Sequence, residues 1–243
     1  MVDLPPPSPD LLDDAALFLD FDGTLVELAE TPDAVRVSPA LGPLLERLRR
    51  RLGGRLAIVS GRALGDLERH VPLAGIAFSG SHGLELQWPD GTRLPLSAPL
   101  GLDDAREAVT RFAAAAPGLL VEGKPAGIAL HYRLAPQEGP RAGIFMAALA
   151  KRHGWEVQHG AMVVELRPRG ATKGVAIKAF MRATDFADAR PVFVGDDLTD
   201  EHGFAAAAAL GGAGVLVGTG RETAARYRLG SVAAVADWLE RWA

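Results

Sequence analysis

The chain has 243 residues, 48% of them hydrophobic and 23% charged, so at roughly 150 residues per domain it holds about 1.6 domains, one large or two small. That is ample for a packed core without covalent staples. The absence of cysteine excludes disulfides, thiolate zinc sites and cysteine nucleophiles, and 26 Lys+Arg against 30 Asp+Glu, a formal net charge of −4, gives no bulk attraction to nucleic acid or an anionic membrane. The first residues, Met1 to Pro9, carry neither a basic n-region nor an apolar h-region, so a soluble, cytoplasmic protein is expected, with no nucleic-acid or membrane partner.

In chain order, short apolar runs ending in polar residues alternate with helical patterns. Ala16–Leu19 stops at Asp20. Ser38 to Leu52 reads as an amphipathic helix, with Leu41, Leu44, Leu45, Leu48 and Leu52 at 3- and 4-residue spacing, Ser38 as N-cap and Pro39 at its first position. Leu56–Val59 stops at Ser60, and Gly75–Phe78 leads into Ser79. Leu84 to Leu96 is extended on both sides of Asp90-Gly91, a hairpin signal. Helical patterns at 102–116 and 141–153 then alternate with extended runs at 119–134, broken by a turn at Pro125 and Gly127, and at 156–166. Pro191–Val194 leads into Gly195-Asp196-Asp197. The longest uncharged stretch, Phe204 to Gly220, is too short and too glycine-rich to span a membrane and reads as a helix followed by a buried strand.

Four-residue apolar runs are the mark of strands buried on both faces. The expected fold is therefore α/β, a doubly wound, mostly parallel sheet with an inserted small α+β unit: residues 1–99 and 169–243 form the core domain and 100–168 the insertion. In such a sheet the polar residues at the carboxyl ends of the strands share one crevice.

Two acidic segments lie at those ends. In Asp20-Phe21-Asp22-Gly23-Thr24-Leu25, carboxylates at i and i+2 repel each other unless a divalent metal or a proton intervenes, and an aspartate can also act as a nucleophile toward phosphorus. Gly23 permits a turn that aims backbone N–H groups at an anion, and Thr24 adds a hydroxyl; the plainer alternative is an ordinary turn leaving a strand. Gly195 to Glu201 places four carboxylates in six residues, a hard-oxygen set suited to Mg2+ or simply an acidic helix start. Lys173, opening an apolar helical stretch after Thr172, could neutralise phosphate and nucleophile together, or be a solvated lysine. Ser60-Gly61-Arg62 offers a hydroxyl and a helix start to a phosphate oxygen, or a plain N-cap.

In this order and spacing the segments resemble the haloacid dehalogenase superfamily of phosphatases, with Asp20 and Asp22 as its paired aspartates, Ser60 its hydroxyl, Lys173 its lysine, and Asp196 with Asp197 its acidic loop. Within that superfamily the chain is similar to the trehalose-6-phosphate phosphatases through Ser60-Gly61-Arg62, Gly80-Ser81-His82-Gly83-Leu84-Glu85, Glu122-Gly123-Lys124, His131-Tyr132-Arg133, Glu165-Leu166-Arg167-Pro168, and the Gly195–Glu201 segment with Phe204 after it. Phe21 stands where tyrosine is common and Thr172 where asparagine usually precedes the lysine.

The resemblance implies Mg2+-dependent hydrolysis of trehalose 6-phosphate to trehalose and phosphate through an aspartyl-phosphate on Asp20. It implies Asp22 as acid and base, with Ser60 and Lys173 on the phosphoryl oxygens. Mg2+ would be held by the Asp20 carboxylate, the Asp22 main-chain oxygen and Asp196, with Asp197 and Asp200 orienting the loop or the metal's waters. A sugar phosphate calls for cations and bidentate acceptors, and the candidates for binding it are Thr24, Arg62, His82, Glu122, Lys124, His131, Arg133, Glu165 and Arg167. The inserted unit is then the specificity cap, although each of its charged residues could also lie on an exposed sheet face. A phosphatase for another sugar phosphate, a mutase and a non-catalytic sugar-phosphate sensor are the rival readings.

Overall fold

The computed structural model describes residues 4–29, 34–94, 99–160, 162–183 and 185–243. They form two compact units, Met1–Leu94 with Thr172–Ala243 and Pro95–Ala171; the sequence placed the second at 100–168. Leu96, the end of the extended run read from Leu84, lies outside the described residues.

The first unit begins its sheet with β1 (Ala15–Leu19), buried along its whole length. Strand alternation sends Leu17 and Leu19 into one apolar layer and Ala16 and Phe18 into the other. Helix α1 (Leu41–Arg51) lays Leu41, Leu44, Leu45 and Leu48 on the first layer. It starts later than its sequence suggests, because Ser38 closes a turn: its main-chain oxygen accepts from Leu41 N at 3.0 Å and its hydroxyl from Ala40 N at 3.3 Å. Ala40, not Ser38, is the N-cap. Next come β2 (Leu56–Val59), α2 (Leu64–His70), β3 (Ala77–Gly80) and β4 (Glu85–Gln87). Beyond β4 the chain reverses at Asp90-Gly91, where Asp90 Oδ1 accepts from Thr92 N at 2.8 Å.

The second unit contains α3 (Leu102–Ala114), β5 (Leu120–Lys124), β6 (Gly127–His131), α4 (Gly139–His153), β7 (Glu156–Gly160) and β8 (Val163–Arg167). Its antiparallel sheet runs β5-β6-β8-β7. The extended run at 156–166 is therefore a hairpin and not a single strand; its reversal, with Met162 at φ 62°, has no Asn-Gly or Asp-Gly pair to announce it. Val109, Met146, Leu149 and Trp155 pack with Ile128, Leu130, Val164 and Leu166 in a separate core. Pairing across the sheet sets Glu122, Ala129, Glu165 and Gln158 in one row on the other face.

The chain returns to the first unit through α5 (Lys173–Phe180), β9 (Arg190–Gly195), α6 (Glu201–Ala209), β10 (Ala213–Val217), β11 (Tyr227–Leu229) and α7 (Val232–Trp242). The seven strands lie in the order β11-β10-β9-β1-β2-β3-β4, all parallel except β4. Helices α1 and α7 cover one face, α5 and α6 the other. This is a mixed α/β architecture with a mostly parallel central sheet and a separate antiparallel one. Among the described residues no helix is long and apolar enough to cross a membrane.

Phe18 is fully buried against the rings of Phe180 and Phe186, with centroids 6.3 and 5.9 Å away. Phe18→Ala is expected to cost about 3–5 kcal/mol by urea unfolding, and a loss below about 1 kcal/mol would show that the layer refills the space.

Candidate active site

Strand register assembles the site. Leu19 pairs with Val194 on one side and Ile58 on the other, so the residues that follow, Asp20, Gly195-Asp196 and Ser60, leave the sheet side by side. After Asp20 the chain turns tightly, with Leu25 N and Val26 N both donating to Phe21 O at 2.9 and 3.1 Å. Gly23 has φ +73°, and a Cβ there would lie 2.1 Å from Asp196 Oδ2. Only glycine lets this turn approach the acidic loop so closely.

At the centre is a buried charge network. Lys173 Nζ lies 2.7 Å from Asp20 Oδ1 and donates to Asp200 Oδ1 at 2.6 Å, and all three side chains are almost wholly excluded from water. Lys173 is the first residue of α5, whose N-cap Thr172 accepts from Val175 N through its hydroxyl at 3.2 Å. Asp200 Oδ2 accepts from Asp196 N and Asp197 N, each at 2.9 Å, which folds the acidic loop around it. Burial pushes the Asp20 carboxyl well above the usual range; Lys173 pulls the other way, while Asp200 and Asp196 add to the push. Asp196 is pushed up to about 7, by burial first and then by Asp200. Burial alone would lower the Lys173 ammonium, but Asp20 and Asp200 raise it above the ordinary lysine value.

Asp20, Asp196 and Asp200 each bring a carboxylate oxygen within 4.8 Å of the others. One ammonium beside three carboxylates leaves negative charge uncompensated, and Asp196 Oδ1 is buried with no hydrogen-bond partner among the described residues. Such a donor set fits a hard divalent cation. Asp200 already accepts three hydrogen bonds, so Asp20 and Asp196 are the carboxylates best placed to hold one. Thr24 Oγ1 is likewise buried and unpartnered among the described residues.

Asp22 points its carboxylate elsewhere. Arg62 Nε donates to its Oδ2 at 2.7 Å and Arg62 NH2 to its Oδ1 at 2.9 Å. Ser60 is buried and its hydroxyl accepts from Arg62 N at 3.2 Å, whereas α2 starts only at Leu64 with Ala63 as N-cap, so Ser60 does not cap it. His82 is buried with left-handed backbone, φ 56°, and its ring fills the space where a Cβ on Gly61 would sit. Ser81 beside it donates to Glu85 Oε1 at 2.6 Å.

The remaining candidates belong to the second unit. Lys124 Nζ donates to Glu165 Oε2 at 2.6 Å, His131 Nε2 lies 2.8 Å from Glu122 Oε2, and Arg167 Nε donates to Glu156 Oε1 at 2.9 Å. Arg133 is exposed in the turn after β6. Sequence reasoning missed Asp66, which holds Arg62, and Arg221, which pairs with Glu201 and donates to the main-chain oxygen of Asp197 at 2.8 Å. Asp66 had a signal, four residues after Arg62 at the start of a helix; Arg221 comes from a loop with no motif.

Comparison with known proteins identifies the family. The profile of the trehalose-phosphatase family matches residues 18–233. A probable trehalose-phosphate phosphatase of Sinorhizobium fredii is 42% identical over 209 residues, covering 85% of this chain and 79% of its own length. The trehalose-6-phosphate phosphatase of Escherichia coli is 38% identical over 239 residues, covering 96% and 88% respectively. The crystal structure of a trehalose-6-phosphate phosphatase related protein superposes with a TM-score of 0.78 at 27% identity, over 92% of this chain and 95% of that one. A likeness that runs through both units, and not the parallel sheet alone, places this chain in the trehalose-phosphatase family of phosphoric monoester hydrolases.

Proposed function

We propose that the protein hydrolyses trehalose 6-phosphate to trehalose and inorganic phosphate, with Mg2+ and through an aspartyl-phosphate on Asp20, in the cytoplasm. The observation that carries this reading is Lys173 bound to Asp20 and Asp200 beside the unpartnered oxygen of Asp196. A surface-binding or sensing role needs no buried, cation-matched carboxylate at a strand end.

The carboxylates of Asp20 and Asp196 and the main-chain oxygen of Asp22 would hold Mg2+. When bound, the ion would neutralise charge on the phosphoryl group and the nucleophile together. Lys173, held by two carboxylates, orients Asp20 and opposes the rise that burial imposes on its carboxyl, and with the hydroxyls of Thr24 and Ser60 it receives the phosphoryl oxygens. Asp20 forms its bond to phosphorus as the bond to the sugar oxygen breaks, and that oxygen takes the proton carried by Asp22. Water then attacks the phosphoryl group and gives a proton to Asp22, phosphate leaves, and the Asp20 carboxylate is restored. Asp200 and Asp197 shape the acidic loop. For sugar recognition the residues are His82 in the first unit and Glu122, Lys124, His131, Arg133, Glu165 and Arg167 in the second, which acts as the specificity domain. The support for that role is a polar sheet face on which acids and bases alternate.

Phosphate release from trehalose 6-phosphate should exceed that from glucose 6-phosphate and stop with chelator; equal rates on the two sugars would assign another substrate. Asp20→Asn should abolish release, a loss of at least about 10^4-fold, while circular dichroism stays unchanged; near-normal turnover would remove the phosphoenzyme. Arg133→Ala should raise KM for trehalose 6-phosphate by roughly tenfold, the worth of a charge-assisted hydrogen bond, and leave 4-nitrophenyl phosphate unaffected. Equal losses on both substrates would take Arg133 out of sugar recognition.

A further inference from the structure

The sequence suggests Arg62 as a substrate ligand, but its side chain is committed to protein groups. Its fork grips both oxygens of Asp22, and its NH1 donates to Asp66 Oδ2 at 2.6 Å. The side chain is only 10% exposed and its guanidinium carbon stands 5.5 Å from the centre of the Phe21 ring. The backbone is fastened too: Arg62 N donates to Ser60 Oγ, and Arg62 O accepts from Ser81 N at 2.7 Å. A further layer holds the holder. Asp66 Oδ1 accepts from Arg69 NH2 at 2.8 Å and lies 3.6 Å from His70 Nε2, and the His70 ring packs 5.6 Å from Phe21. Phe21, His70, Asp66 and Arg62 thus close a ring of contacts, and from it Arg62 reaches the Asp22 carboxylate.

From this geometry we infer that Arg62 is a positioning residue for Asp22, fixing the plane and direction of the carboxyl group that moves the proton in both halves of the reaction, with Asp66 as its anchor. The inference rests on the proposed phosphoenzyme chemistry. Asp22 is a short side chain on a turn, and a proton passes efficiently only to a group held in line with the oxygen that gives or takes it. A guanidinium fork fixes a carboxylate plane as an ammonium cannot. Within the ring of contacts, Phe21 supplies an apolar floor under the guanidinium.

The two half-reactions separate this role from substrate binding. With 4-nitrophenyl phosphate the bond from Asp20 to phosphorus forms as 4-nitrophenolate departs as an anion, so no proton is needed; dephosphorylation still requires water to give one to Asp22. In rapid-quench measurements with Mg2+, Arg62→Ala should release one equivalent of nitrophenolate within about threefold of the wild-type rate, then turn over roughly 10^2-fold more slowly. Its KM for trehalose 6-phosphate should stay near the wild-type value while kcat falls. Asp22→Asn should give the same pattern, and Arg62→Ala added to Asp22→Asn should slow the enzyme no further. Arg62→Lys, which restores the charge without the fork, should recover little of the loss.

A slower burst with a raised KM would overturn the inference and make Arg62 a phosphate or sugar ligand, and so would multiplicative losses in the double variant. Asp66→Asn gives a second measurement where Arg62→Ala loses the fold: it should slow dephosphorylation without touching the burst, and an unchanged dephosphorylation rate counts against the anchor. Failure of the wild-type protein to release phosphate from trehalose 6-phosphate would instead sink the underlying reading, a result distinct from either.

Discussion

The structure is arranged around one ammonium group. Lys173 opens α5, at the end of a helix where the backbone dipole disfavours a cation, and it is almost fully removed from water. Two charge-assisted hydrogen bonds, to Asp20 and Asp200, offset both penalties. Removing Lys173 would strand both carboxylates as uncompensated buried charge. The lysine therefore ties together α5, the end of β1 and the acidic loop after β9.

Close approach of the loops follows from the same constraint. For Asp200 to reach Lys173 and still accept from two backbone N–H groups, the chain after β9 must fold back on itself. A Cβ on Gly195 would lie 2.4 Å from the Asp200 carboxyl carbon. Gly23 performs the same service for Asp196 from the opposite loop. Arg221 ties the loop down from outside by taking the main-chain oxygen of Asp197, which leaves the side chain of Asp196 directed at its unpartnered position. Rigidity of this kind suits phosphoryl chemistry, where placement and preorganised charge supply most of the catalysis.

Much of this was legible in the sequence, for physical reasons that also mark the limits. Central parallel strands are buried on both faces, so β1, β2 and β9 stand out as apolar runs, and the polar residues ending them announce the crevice. Element ends were harder. Ser38 looks like an N-cap but spends its groups on a preceding turn, and the reversal at Met162 hides because a left-handed non-glycine residue carries no sequence signal. The edge strand β11 is too short to show a period. In the site, the reactive types were visible and their partners were not. Arg62 and Asp22 are 40 residues apart and Arg221 and Asp197 are 24 apart, distances over which only the folded chain decides who meets whom.

The two units also treat charge differently, in a way that matches the proposed division of labour. In the first unit the oxygens of Asp200 accept three hydrogen bonds from protein donors, so most of their capacity goes to holding shape. In the second unit Glu165 accepts from Lys124 through Oε2, its one side-chain partner among the described residues, and a carboxylate has about four lone-pair directions. An acceptor held in place by one ammonium yet not saturated by it can take a sugar hydroxyl without first breaking a bond. In the proposed division of labour, chemistry that needs a single geometry falls where charged groups are held by several partners each, and recognition of a many-hydroxyl ligand where capacity has been left over.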